Sequence, residues 1–111
     1  MLVHRDRWYL ADYKTNHLGD DLGAYAPPRL GQTMVEDHYV LQYHLYTVAL
    51  VRHLARTVPG FRYDRDFGGV FYLFLRGMTP AGGATRGVFF DRPPAARIEA
   101  LSDLLRGGPL E

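Results

Sequence analysis

The sequence predicts a small mixed α/β (α+β) fold, a β-sheet flanked by helices. Three observations carry that expectation. Two strand-like segments open the chain as a tight hairpin. A long helical pattern follows after a loop. A continuous apolar run then reads as a central strand.

The hairpin spans residues 2–13. Leu2–His4 and Arg7–Tyr13 are joined by a turn at Arg5–Asp6, and the second strand is rich in aromatic and apolar residues. Residues 15–32 show no periodicity. They hold Gly19, Gly23, Pro27, Pro28 and Gly31, with Asp20 and Asp21, and read as a long loop of the kind that often serves function. Residues 33–58 are helical in pattern, with Leu41, Leu45 and Val48 on one stripe and Thr47, Val51, Leu54 and Val58 on another. An apolar circumference of this kind predicts burial, and Pro59-Gly60 ends the helix. Residues 67–75, FGGVFYLFL, suit a central strand covered on both faces. A further strand is expected over 85–91. Asp91 should cap a last helix over 94–106 that carries Ile98, Leu101, Leu104 and Leu105.

With 111 residues, one domain is expected. A hydrophobic share of 47% argues against disorder, and 14% aromatic residues point to a core built around large rings. The formal charge of +1 makes no case for a dedicated nucleic-acid module. Cysteine is absent, which excludes disulfides and thiolate metal sites and agrees with a reducing cytoplasm. No apolar run is long enough to span a membrane, and the first ten residues lack the layout of a signal peptide. A cytoplasmic protein is therefore expected.

The chemistry-bearing residues fall in two places. Asp12 and Lys14 lie two apart on a strand, so they share a face, roughly 7 Å apart along it. A carboxylate can hold a hard cation such as Mg²⁺, and a nearby lysine can stabilise charge on a phosphate. Alone, Asp-x-Lys is a very weak signal and reads first as an exposed ion pair at a strand end. Gln42 and Tyr46 lie one helical turn apart and share a face. Alone, they read first as two satisfied polar groups on a buried helix.

In this order, with DYK ending a hairpin strand and QYHLY on the helix that follows, the sequence resembles the RecB-like nucleases of the PD-(D/E)xK group. The likeness runs through Tyr9–Asn16 and Leu18–Asp21, then Leu41–Thr47, then Phe67–Gly77, and covers roughly residues 2–105. It implies a restriction-endonuclease-like core and a Mg²⁺-dependent DNA exo- or endonuclease of a helicase–nuclease acting in double-strand break repair and recombination. Asp12 would be a metal ligand, helped by the backbone carbonyl of Tyr13. Lys14 would be the catalytic lysine, and Gln42 and Tyr46 would place the phosphate or the catalytic groups. DNA and RecC- and RecD-like subunits are the implied partners.

The sequence departs from the family pattern at its start. The aspartate of the preceding hairpin strand is expected at the position of Met1, and the family's upstream helix with its histidine has no counterpart in these residues. The core is thus expected to lack its first helix and part of its first strand. The polypeptide is expected to be inactive or nearly so by itself, and to self-associate through exposed apolar sheet surface. A non-catalytic DNA- or partner-binding module of the same fold is the alternative.

Other signals are weaker. His4, His17, His38, His44 and His53 form no recognised metal spacing, and His38 and His44 read as helix-face residues. The glycine-rich stretch 77–87 lacks the G-K-[ST] of a phosphate loop. Arg29, Arg52, Arg56, Arg62, Arg65 and Arg76 read as scattered, solvated charges.

Overall fold

A computed structural model describes residues 2–19, 22–78 and 87–106. Four strands form one mixed sheet in the order β1-β2-β3-β4. β1 (Leu2–His4) and β2 (Arg7–Lys14) pair antiparallel, with Leu2 opposite Tyr9. Arg5 and Asp6 both have positive φ, at 50° and 65°. That conformation matches the twist of a two-residue hairpin. β3 (Phe67–Phe74) pairs parallel to β2, setting Asp12 beside Tyr72 and Lys14 beside Phe74. β4 (Val88–Asp91) runs antiparallel to β3. The mixed α/β class is as predicted.

A parallel pair needs a crossover. Here it is made by α1 (Pro27–Glu36) and α2 (Tyr39–Thr57), followed by the single turn α3 (Tyr63–Asp66). The crossover departs from expectation in two ways. First, the segment read as a loop over 15–32 contains a 3₁₀ turn over Leu22–Tyr25 and the start of α1. Prolines at its first positions suit a helix start, because the missing N–H groups would have no intrahelical partner there. Leu30 and Met34, four apart, then bury completely. Second, the helix expected over 33–58 is broken. His38 adopts a left-handed conformation at φ 60°, and α2 restarts at Tyr39.

The core lies on one face of the sheet. Leu30 and Met34 of α1 and Tyr43 of α2 close over Phe67, Val70, Tyr72 and Phe74, with Ala24 and Tyr25 at the edge. The buried stripe of α2 is Tyr43, His44, Thr47, Val48 and Leu54. Leu41 and Leu45, expected inside, are exposed. β3 is deeply buried on this face, whereas Phe71 and Leu73, which point the other way, are only half-buried. The expectation of cover on both faces is therefore corrected among the described residues.

α4 (Ala95–Leu105) packs on α2 through Ile98 and through Arg52, whose guanidinium donates to the Ser102 hydroxyl at 3.0 Å and carbonyl at 2.8 Å. Asp91 does not cap α4. The cap position is Pro94, and the Asp91 carboxylate instead accepts the Tyr43 hydroxyl at 2.5 Å. A buried phenol is the more demanding donor, because leaving it unpaired would cost its full desolvation. The expected strand over 85–91 is described from Val88; residues 85 and 86, most of the glycine-rich stretch and Met1 lie outside the described residues.

Candidate functional site

Asp12 and Lys14 sit at the C-terminal end of β2, on the face that carries the core. Their side chains meet, with Nζ of Lys14 3.0 Å from Oδ2 of Asp12. The pair is not a freely solvated surface contact. Lys14 is only 17% exposed, and its ammonium lies 4.4 Å from the centre of the Tyr39 ring and 5.4 Å from that of Tyr72.

Tyr72 joins the strand cluster to the helix. Being level with Asp12 in the sheet, it projects toward α2, where its hydroxyl donates to Oε1 of Gln42. That bond fixes the amide and turns the Gln42 NH₂ away from Tyr72, free to donate to another group. Burial pushes the Tyr72 hydroxyl well above the usual phenol range, and the negative charge of Asp12 reinforces the shift. Tyr46, one turn beyond Gln42, is 46% exposed and close enough to Tyr72 to add to the same shift. The structure thus brings Asp12, Lys14 and Gln42 around Tyr72, with Tyr46 at the margin.

The segment after β2 is tied down. Asn16 accepts the Tyr39 hydroxyl at 3.1 Å and donates to Asp37 at 2.9 Å. The Tyr25 hydroxyl accepts from the Leu18 N–H at 3.2 Å. Arg76, just past β3, donates to the Thr15 carbonyl at 2.7 Å. The two Asn16 bonds hold the exit of β2 against the break between α1 and α2, and the others tie it to the 3₁₀ turn and to the end of β3.

Asp12 and the Tyr13 carbonyl are hard oxygen donors of the kind Mg²⁺ prefers. Among the described residues, no group of three or more His, Cys, Asp or Glu side chains comes together to hold a metal. An ion at Asp12 would therefore keep most of its water ligands or take further oxygen donors from elsewhere.

His44, Arg52, Arg65 and Arg76 are committed to other contacts. His44 is buried rather than on an open helix face, with its Nδ1 2.7 Å from the Val40 carbonyl and its Nε2 3.2 Å from Arg97. Arg52 is committed to Ser102, Arg65 to Asp66 and the Gly60 carbonyl, and Arg76 to Thr15. Sequence reasoning missed Tyr39 and Tyr72. One signal could have pointed at their partner: among 13 Lys+Arg, Lys14 is the only lysine.

A mixed sheet with a crossover helix pair, and a carboxylate–lysine–amide cluster where strand and helix meet, defines an α/β protein with a polar cluster on its packed face. By sequence, the chain is homologous to RecB subunits of RecBCD enzymes over nearly its whole length. It is 50% identical over 98 residues to the RecBCD enzyme subunit RecB of Haemophilus influenzae, a match covering 88% of this chain and 8% of that protein. The RecBCD enzyme subunit RecB of Escherichia coli is 41% identical over 108 residues, covering 97% and 9%. That of Mycobacterium tuberculosis is 44% identical over 110 residues, covering 95% and 10%. The chain thus spans about a tenth of the length of these relatives. No family model matches it. No helix among the described residues is long and apolar enough to cross a membrane.

Proposed function

We propose that these residues form the β2–α2 part of a Mg²⁺-dependent DNA-cleaving site in a RecB-type helicase–nuclease, acting in double-strand break repair and recombination alongside RecC- and RecD-like subunits. The observation that carries the reading is the Asp12–Lys14 pair, 3.0 Å apart and backed by the Tyr72–Gln42 bond. Asp12, with the Tyr13 carbonyl, holds the ion. When bound, Mg²⁺ would supply charge neutralisation at the scissile phosphate and a more acidic water. Lys14 stabilises charge developing on the phosphate, and Gln42 donates its free NH₂ to a phosphate oxygen. Tyr46 borders the path of the strand.

The 111-residue polypeptide contributes one strand carboxylate to this site, so it is expected to cleave DNA poorly or not at all by itself. A Mg²⁺-dependent assay tests this directly. Robust cleavage, lost in Lys14→Ala, would overturn the expectation of inactivity while supporting the site.

The metal assignment has its own readout. Mn²⁺ added as a paramagnetic stand-in should broaden the amide resonances of Asp12, Tyr13 and Lys14 first. Excess Mg²⁺ should reverse the broadening, and Asp12→Asn should abolish it. Broadening that centres elsewhere, or survives Asp12→Asn, would defeat the assignment. With residues 2–106 exchanged into the matching stretch of a RecB subunit, Lys14→Ala should lower cleavage about 100-fold or more. Unchanged cleavage would defeat the role given to Lys14.

A further inference from the structure

We propose that Tyr39 and Tyr72 are positioning residues, forming an aromatic cage that holds the Lys14 ammonium independently of Asp12. The inference rests on the site reading above and adds two residues to it.

Three groups surround the ammonium. One is the Asp12 carboxylate at 3.0 Å, and the others are the rings of Tyr39 and Tyr72 at 4.4 and 5.4 Å. Both ring distances lie inside the range in which a ring's negative face attracts a cation. The rings are themselves fixed. They sit 5.6 Å apart, and Tyr39 also meets Phe74 at 6.4 Å. The Tyr39 hydroxyl donates to Asn16, which is held by Asp37, and the Tyr72 hydroxyl donates to Gln42. Each ring thus has its far end anchored and its face toward Lys14.

The cage explains two features that packing alone leaves unused. The first is the helix break. His38 takes a left-handed conformation, and α2 restarts with Tyr39 as its first residue, beside the exit of β2. A helix continuous through 37 and 38 would carry position 39 to a different place. The second is the residue type. A compact ammonium fits between two rings and a carboxylate, whereas a planar guanidinium would need to stack on one ring. In a chain that otherwise uses arginine for every fixed cation, position 14 is lysine.

The cage matters because one carboxylate has two claimants. A cation bound by Asp12 competes with Lys14 for the same oxygens. The two rings hold the ammonium without drawing on Asp12, so the lysine stays at the phosphate when the carboxylate is engaged.

Because the sequence has one lysine, labelling lysine with ¹³C and ¹⁵N gives a single set of side-chain resonances. In the 111-residue chain, the Lys14 ε-methylene protons should lie upfield of those of free lysine through the ring currents. The shift should persist in Asp12→Asn and in Tyr39→Phe, and should be largely lost in Tyr39→Leu. A return to the free-lysine position in Asp12→Asn would overturn the proposal, as would an unchanged shift in Tyr39→Leu. Should Tyr39→Leu fail to fold, the Asp12→Asn arm decides by itself. In the RecB exchange described above, Tyr39→Leu should lower kcat about tenfold with little change in KM, and Tyr39→Phe should restore it. A change confined to KM would count against positioning. Failure of the metal reading would show as Mn²⁺ broadening away from Asp12, and failure of the cage as a free-lysine resonance, so the two are told apart.

Discussion

Along β3, neighbouring residues meet opposite surroundings. Val70, Tyr72 and Phe74 are completely buried against α1 and α2, and the site grows from the same face. Phe71 and Leu73 point the other way. They join Tyr9 and Tyr13 of β2, Leu2 of β1 and Phe90 of β4 in a second apolar surface that stays outside the core. Tyr13 is 61% exposed there and Phe90 48%. The rings on this second face do touch. Phe71 meets Phe90 at 4.7 Å and Tyr9 at 5.8 Å. Gly68 and Gly69 make room for them: a Cβ on Gly68 would fall 2.2 Å from the Tyr9 ring, and one on Gly69, whose φ is +141°, would fall 2.5 Å from the Phe90 ring. One sheet thus has a face sealed by helices and a face of loosely packed rings. The candidate site, with its Asp12–Lys14 and Tyr72–Gln42 contacts, lies on the sealed one.

Truncation of buried rings should separate the faces most sharply. Phe74→Ala removes a completely buried ring from the layer under α1 and is expected to cost about 3–5 kcal/mol. Phe90→Ala removes a half-exposed ring and should cost about 1 kcal/mol or less. Urea unfolding of the two variants measures the difference. Equal losses would mean that the second face is as well packed as the first.

High pH tests the sealed face next. Tyr43, Tyr63 and Tyr72 are packed in or against the core, and burial raises all three hydroxyls above 10.0. Tyr63 is pushed up to about 12, with the Arg92 charge partly opposing the shift. The hydrogen bond to Asp91 and the charge of that carboxylate add to the effect of burial on Tyr43. A folded-state pKa above the unfolded value means that the folded chain holds its proton more tightly. The stabilisation is complete below pH 10 and is lost as pH rises through the folded-state values. The urea midpoint should therefore fall steadily between pH 10 and about 12, with phenolate absorbance from these residues arriving together with unfolding. A level midpoint across that window would show that the three hydroxyls titrate freely.

How much of this could be read beforehand differed by element. The hairpin was legible because Arg5-Asp6 is a two-residue link between strands of clear pattern, and the structure gives both residues the positive φ such a link needs. Period-2 and period-3.6 spacing placed Asp12 with Lys14 and Gln42 with Tyr46 on shared faces, but spacing alone favoured an ion pair and two satisfied polar groups; only the resemblance singled the four out. The helix break was not legible. Asp37-His38 holds no glycine or proline to mark a stop, and a left-handed residue other than glycine is uncommon, although histidine is among the types that adopt it. The start of α1 was missed because Pro27-Pro28 and Gly31 read as loop residues, although prolines at first positions also open helices. Tyr39 and Tyr72 were hidden for a related reason. Their roles depend on a parallel register and on the break, both long-range facts that local spacing does not carry.

The smallest effect on stability should accompany the clearest effect on association. A parallel strand pair is ordinarily covered on both faces, and here the face holding Leu2, Tyr13 and Phe90 leaves apolar area open to water. Contiguous patches of that kind favour association. The 111-residue chain is therefore expected to self-associate as its concentration rises, with weight-average mass by light scattering as the measure. Phe90→Ser should shift this chain toward monomer while changing the urea midpoint little, because the ring it removes is half in solvent already. Leu41→Ser supplies the control. Leu41 is 58% exposed but lies on α2, away from the open sheet face, so its loss should leave association unchanged. A chain that is monomeric at every concentration, or one whose association responds to Leu41→Ser and not to Phe90→Ser, would show that the ring-lined face is not what drives the contact.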